Sequence, residues 1–581
     1  MEDSKTIQED LEKNMQIKIS YKDYVFAAFF AAACALVIWR AFYGLDWTDE
    51  SYYLAVTKRF FQGDRPFREE WFTTQLIGVL LLPLYSLYHG VTGGTEGILL
   101  FMRLCYVGFS AAVSLLAYVC LVREENLDRV PAALFALSSL FYVRANIPTL
   151  SYYSIGLGCF LIYLLLRGKP GVFRNISAGV AFAVSTVCMP YMALYFAVTV
   201  VGKVYRSVRV RRINREDIWI LTGIVLSAAV FLIYCAGSGN AGDILTNLPE
   251  VLEDPEHQST LTGSVFSFLK FMITVFYQYL FWPQVLLSAG IIWSSRRKGN
   301  HERIKKLLKA EAYLLFFVQA VYLRTFFEGG ILIAFVFLAV QVSLLNGWGE
   351  KKLWRRYALP GLIFGVIWVL GSNVGQRVFN MGSLAACIWA FPVVWRDASE
   401  SSGRWIRTGK YLAMLATVGI LLVIRLFDIY RDEPVECLTE RLESGAGKGL
   451  YTTPERASEY ESVLECLKKY AGEDRLLAVG GTNPWIYLEA EAECGVFAAW
   501  NVDFEDPRNE IYYERYPEKL PDVIFLLEPE YGRYEAWRYS SHGGNDTGYG
   551  VEELSGYFKT LVDTGYQCYE EACGKFFVLN L

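Results

Sequence analysis

Residues 24–53 read YVFAAFFAAACALVIWRAFYGLDWTDESYY. As a helix, the run from Tyr24 to Gly44 is long enough to cross about 30 Å of hydrocarbon. It follows a polar stretch with Lys13, Lys18 and Lys22, and Arg40-Ala41-Phe42-Tyr43 makes a poor signal-peptide cleavage site, so it reads as an uncleaved anchor with a cytoplasmic N-terminus. Just beyond the anchor stands the acidic pair Asp49-Glu50. The stretch therefore places carboxylates at a membrane boundary.

Apolar runs of similar kind recur as far as Tyr430, and 54% apolar with 16% aromatic residues over 581 exceeds the needs of one soluble core. The expected fold class is a polytopic α-helical membrane protein. After the first, spans fall at about 98–121, 130–145, 151–167, 174–190, 191–205, 217–236, 265–293, 310–325, 329–346, 357–372, 378–395 and 408–430, thirteen in all. The segment Thr74 to Gly90 is short for a fourteenth and contains Pro83 and His89. Loop charge decides its place. With thirteen spans the loops holding Arg167/Lys169/Arg174, Lys203 through Arg215, Arg296 through Lys309, Lys351/Lys352/Arg355/Arg356 and Arg396/Arg404/Arg407 all face the cytoplasm, while Ala236 to Ser264, on the other side, has no Lys or Arg. Fourteen would reverse this, so Thr74 to Gly90 is assigned to the interface. The odd count also exports the C-terminus.

Three regions follow: a cytoplasmic tail, 1–23; a membrane domain, 24–430, with a first outer loop at 45–97; and an outer domain, 431–581. In the last, a helical pattern from Pro454 to Tyr470 precedes strand-like runs at Leu476–Val479 and Val523–Leu527, which suggests a small α/β domain. Gly480-Gly481 lacks the residues of a phosphate loop and reads as a turn. Seven of twelve cysteines sit in apolar blocks as small hydrophobes, no CxxC or zinc spacing occurs, and Cys568 and Cys573 are candidates for pairing in an oxidising compartment. Basic residues cluster in loops between apolar blocks and acidic ones after Arg431, which argues against a nucleic-acid partner.

Asp46, Asp49 and Glu50 carry two readings. Thr48 as N-cap, with acids in the first turn of a helix over Ser51 to Phe61, would be ordinary capping. A carboxylate against apolar surface is also suited to taking a proton from a sugar hydroxyl. Arginines at outer span ends favour chemistry: Arg40, Arg103, Arg144, Arg324, Arg377 and Arg425 stand where the inside bias should have removed them, with Lys270 a further member. Each alone is compatible with snorkelling or local pairing. As a set they match the two-bond grip of guanidinium on phosphate oxygens, as on a lipid phosphate whose tail lies between helices.

These residues resemble the GT-C superfamily of polyprenyl-phosphate-sugar glycosyltransferases, which includes the protein O-mannosyltransferases and the lipid A aminoarabinose transferases. The resemblance is carried by Asp49-Glu50-Ser51-Tyr52-Tyr53, by the Gly63-Asp64-Arg65-Pro66 turn with an interfacial helix holding Gln75 and Pro83, and by Arg103 opening the second span. It covers about residues 24–170; beyond that it is a likeness of layout. It implies a catalytic base at Asp49 with Glu50 supporting it, a polyprenyl-phosphate sugar donor, a glycan, lipid or protein acceptor, and the plasma membrane as location. Arg324 and Arg377, with Arg103 and Arg144, are the expected phosphate contacts. Asp46, Gln75, Tyr152 and Tyr153 are expected in the substrate cavity. The second outer loop, Ile147 to Tyr153, lacks the acid several members carry, and the lysine some members place before the interfacial helix is replaced by Phe72-Thr73-Thr74-Gln75; no cofactor is firmly implied and a divalent metal is doubtful.

A flippase or exporter of lipid-linked glycans, or a polymerase or ligase using a lipid diphosphate, would use the same arginines. No internal repeat is visible, which weighs against a carrier. Trp47, Tyr52, Tyr53, Trp71, Tyr152 and Tyr153 are expected mainly as interfacial anchors. A segment with Asn247-Leu248-Pro249 and Asp254-Pro255-Glu256-His257 is positioned to close over a donor.

Overall fold

In the computed structural model, the described residues are 20–210, 214–237, 241–253, 302–322, 330–348, 350–371, 378–401, 403–535, 550–563 and 565–580, with scattered positions between 265 and 293. The anchor is helix α1 (Tyr21–Ala41), whose start is fixed by Ser20 and Asp23 in a reciprocal capping box. The outer loop follows as α2 (Asp49–Phe61) and α3 (Leu76–Thr92). Then come α4 (Ile98–Arg123), α5 (Arg129–Phe141), α6 (Tyr152–Leu166), α7 (Val172–Cys188), α8 (Met192–Val210), α9 (Arg215–Gly237) and α10 (Ala241–Leu252). Further on lie α11 (Glu302–Tyr322), α12 (Gly330–Leu345), α13 (Lys351–Leu370), α14 (Phe379–Ser399) and α15 (Arg404–Phe427).

The protein is a multi-pass helical membrane protein. Among the described residues α1, α4, α9, α13 and α15 are long and apolar enough to cross a bilayer, and α3, α5, α6, α7 and α12 are shorter apolar helices. Every expected span except 265–293 meets a helix; that one falls mainly outside the described residues. Pairing of α7 with α9 rests on two glycines: a Cβ on Gly179 would lie 2.1 Å from the Ile220 carbonyl oxygen, and one on Gly223 2.2 Å from that of Ile176. Small residues let helix backbones meet where lipid offers no hydrophobic drive.

The C-terminal region is an α/β domain. A short antiparallel pair, β1 (Glu440–Arg441) and β2 (Tyr451–Thr452), precedes helix α16 (Pro454–Tyr470), capped by Thr453, and a five-stranded sheet follows. Its parallel half comprises β3 (Leu476–Val479), β4 (Glu493–Cys494) and β5 (Val523–Leu527); a hairpin, β6 (Tyr566–Glu571) and β7 (Gly574–Leu579), adds antiparallel to β5. All of β5 is buried, as its unbroken apolar run requires. Gly480-Gly481 forms a turn, Gly481 exchanging backbone bonds with Val502. The suggested pairing of Cys568 with Cys573 fails: alternation along the hairpin turns Cys568 to solvent and Cys573 into the core, where its neighbour is Cys466.

The outer loop and this domain share one hydrophobic core, which runs from Leu45 through Trp71 and Leu81 to Val479, Phe525 and Phe576. Polar bonds stitch them as well. Asp432 accepts from the Leu45 amide at 2.7 Å, Arg456 donates to the Leu45 carbonyl at 3.0 Å, and the Trp71 amide reaches the Phe497 carbonyl at 2.7 Å. Lys58 donates to the carbonyls of Tyr487, Leu488 and Ala490 at the end of α17 (Pro484–Glu489). Trp47 and Trp71, expected as lipid anchors, are instead buried here, Trp47 against Trp485 with ring centroids 4.6 Å apart.

The α7–α9 contact predicts that Gly179→Ala or Gly223→Ala lowers the melting temperature of the detergent-purified protein, since overpacking costs about 1–3 kcal/mol. Gly202→Ala, with open space at its Cβ, leaves it unchanged or raises it.

Candidate active site

Asp46 opens the site, and its role differs from the expectation. It is buried, and it accepts from the Thr48 amide at 2.9 Å, the Thr48 hydroxyl at 2.7 Å and the Glu50 amide at 2.8 Å. These are the free donors of a helix start, so Asp46 does the capping assigned to Thr48, whose side chain makes no cap bond. Its oxygens are spent inside the loop and do not face a substrate cavity.

Glu50 turns inward to meet Arg103. The guanidinium makes two parallel bonds to the carboxylate, Nε to Oε1 at 2.8 Å and Nη2 to Oε2 at 2.5 Å. Its other donors reach the carbonyls of Ala41 at 2.9 Å, Tyr43 at 3.1 Å and Gly44 at 2.8 Å. All five N–H groups are thus used by protein, and Arg103 has none left for a phosphate. Glu50 positions the helix and does not reach a substrate. Arg40, which donates to the carbonyls of Tyr43 and Asp428, and Arg425, which donates to Asn146, share this buried region.

Asp49 points the other way. Between Gly44 and Phe60 it alone escapes burial, with a side chain 18% exposed. Its Oδ2 accepts from the Tyr430 hydroxyl, and the Arg431 guanidinium lies 3.4 Å from the same oxygen while donating to Thr48. Among the described residues nothing bonds Oδ1, which leaves a carboxylate oxygen open. Tyr430 and Arg431 were not singled out in the sequence. Arg431 meets the criterion that flagged Arg425, a cation at the far end of a span, but lies one residue past the expected boundary.

From Asp49 a wall of rings extends. Tyr53 sits edge-on to Tyr152 at 5.7 Å, Tyr152 lies 4.1 Å from Tyr153, and Trp368 closes the wall 5.5 Å from Tyr153. Arg144 lies over the Tyr153 ring at 4.9 Å and lines a cavity of about 30 Å³ with Tyr106, Tyr142, Tyr153 and Ser154. It is held in a tight turn where Ala145 and Asn146 both take positive φ, 56° and 54°. Such backbone costs energy and persists only where surroundings enforce it; here Asn146 bonds the carbonyls of Ile424 and Asp428.

Gln75 does not join this wall. It is buried, accepting from the Phe67 amide at 2.7 Å and donating to the Phe72 carbonyl at 3.0 Å, so it staples the loop between α2 and α3. Arg324, Arg377 and the segment Asp254 to His257 lie outside the described residues. Asn247, at the start of that latter segment, is docked between the Phe67 carbonyl and the Tyr516 hydroxyl. Among the described residues Asp46, Asp49 and Glu50 do not gather as a metal-ligating group.

No known family profile matches the sequence, and no curated protein does. Among solved structures, ArnT from Cupriavidus metallidurans in the apo state is similar with 12% identity and a TM-score of 0.41, over 96% of this chain and 98% of that one. The same protein bound to undecaprenyl phosphate gives 14% identity and a TM-score of 0.38, over 88% and 96%.

Two outcomes follow from the acids. Arg103→Ala leaves Glu50 buried without its partner, so a loss of about 3–5 kcal/mol is expected in denaturation of the purified protein, whereas Asp49→Asn leaves stability near wild type. The Asp46 carboxyl is pushed up to about 6, first by burial and then by the Asp49 charge. Being raised above the ~3.9 of the unfolded chain, it adds stability that is full below pH ~4 and lost as pH rises through about 6. Melting curves of wild type and Asp46→Asn should therefore differ by a pH-dependent amount over that window; a constant offset rejects the assignment.

Proposed function

We propose that the protein is a membrane glycosyltransferase that moves a sugar from a polyprenyl-phosphate donor to an acceptor at the outer face of the membrane, with Asp49 as general base. The observation that carries this is the contrast among three neighbouring acids: Asp46 and Glu50 are consumed by the fold, while Asp49 alone keeps an open oxygen beside a tyrosine hydroxyl, an arginine and a wall of aromatic rings. Among the described residues Asp46 and Glu50 have both oxygens engaged by protein, whereas Asp49 has only one.

In this reading Asp49 Oδ1 draws the proton from an acceptor hydroxyl as its oxygen attacks the anomeric carbon. The bond from that carbon to the donor phosphate oxygen breaks, the electron pair leaves with the lipid phosphate, and the new glycoside has inverted configuration. Tyr430 and Arg431 fix the direction of the carboxylate. In the same reading Arg144, which lies over the Tyr153 ring, meets charge on the departing phosphate, joined by Arg324 and Arg377 on the ground of their sequence position at outer span ends. The acids and the C-terminal domain then face the outside, with the N-terminus in the cytoplasm.

Proteoliposomes loaded with radiolabelled polyprenyl-phosphate hexose provide the test, because transfer forms a new glycoside whereas transport moves the label unchanged. Asp49→Asn should lower turnover by about 10²–10⁴-fold, the usual worth of a general base. Tyr430→Phe should retain more activity than Asp49→Asn, and near-wild-type turnover in Asp49→Asn rejects the role given to it.

A further inference from the structure

A second cavity lies beyond Tyr52 of α2, lined by Phe72 and Trp500 among others. It measures about 130 Å³, the share of about four water molecules at ~30 Å³ each. Its walls come from the outer loop (Trp71, Phe72, Thr73), the end of α10 (Glu253) and the C-terminal domain (Phe497, Trp500, Asp503). It is joined to the site around Asp49 by a single layer of rings: Tyr52 meets Phe72 at 5.3 Å and Trp500 at 5.4 Å, and its neighbour Tyr53 belongs to the wall beside Asp49.

We propose that this cavity is an acceptor subsite that holds one neutral pyranose ring against Trp500 and Phe72. The proposal rests on the glycosyl-transfer reading for the word acceptor, and on the cavity's own chemistry for the ligand. Flat aromatic faces suit the apolar C–H face of a sugar, and a few polar groups at the rim give its hydroxyls direction. The rim supplies carboxylates: Asp503 and Glu253 are exposed. The cation among its described lining residues is held by the protein. The Arg508 guanidinium is paired with Asp506 at 2.7 Å, donates to the carbonyls of Glu250 and Glu253, and lies over the Phe497 ring at 4.6 Å. A phosphate would meet repulsion here, while a neutral polyol finds acceptors.

Saturation-transfer NMR on the detergent-purified full chain, with methyl glucoside, methyl galactoside, methyl mannoside and N-acetylglucosamine as probes, reads this directly and without turnover. Expected is transfer to ring protons of at least one probe, weakened about tenfold in apparent affinity by Trp500→Ala, restored by Trp500→Phe, and unaffected by Asp49→Asn. Asp503→Ala, at an exposed position, should weaken it without altering the melting temperature. Absence of signal from all four probes, indifference to both Trp500→Ala and Asp503→Ala, or loss in Asp49→Asn overturns the proposal. These results are separable from the reaction: Asp49-dependent transfer without this binding pattern leaves the transferase standing and removes the subsite, and the binding pattern without transfer does the reverse.

Discussion

The junction between α1, α2 and α4 depends on one guanidinium. Arg103 gathers the carbonyls at the end of α1, the carboxylate at the start of α2 and its own helix α4 into one buried knot, with every N–H of the side chain engaged. A charge so placed is costly to desolvate, and the arrangement is tenable because the ion pair and the carbonyls satisfy it completely. What it supplies is direction. With Glu50 pinned inward and successive residues on a helix about 100° apart, Asp49 is turned away from the Arg103 knot. The orientation of one acid is thus tied to the burial of its neighbour.

Much of this was legible from residue pattern. Apolar runs located the helices because a bilayer demands length and apolarity together, and the C-terminal strands were legible because buried strands read as short unbroken apolar runs. The cluster of three acids next to a span was legible too; which of them keeps an open oxygen was not, because Asp46 and Glu50 stand in the same stretch. The arginines were not resolvable as a set. Position at a span end is shared by Arg40, Arg103 and Arg425, which hold backbone carbonyls, Glu50 or Asn146, and by Arg144, which lines a cavity. A spacing rule sees the same depth for all four and cannot see which carbonyls lie beside each.

What pattern missed came from far along the chain. Tyr430 and Arg431 bond Asp49 and Thr48 across some 380 positions, and sequence distance hides such partners. The tryptophans were misassigned for a related reason: Trp47 and Trp71 have the composition of an interfacial belt, but the C-terminal domain covers them, and only its docking distinguishes burial in protein from burial at lipid headgroups. Likewise Gln75, which reads as a polar group available for substrate, is used up by two backbone atoms of its own loop.

That α2 borrows its partners from beyond α15 has a consequence for biogenesis. The ribosome delivers residues 44–61 early and residues 430–456 late, and at roughly 5–20 residues per second the first loop waits on the order of 20–80 s before its lid arrives. During that interval Trp47, Trp71 and the Leu45 backbone have no core to enter, so a nascent chain truncated before Tyr430 presents sticky surface to quality control and carries Asp49 without the partners that bond its Oδ2. Assembly of the last segment is therefore also the moment at which Asp49 acquires its partners Tyr430 and Arg431.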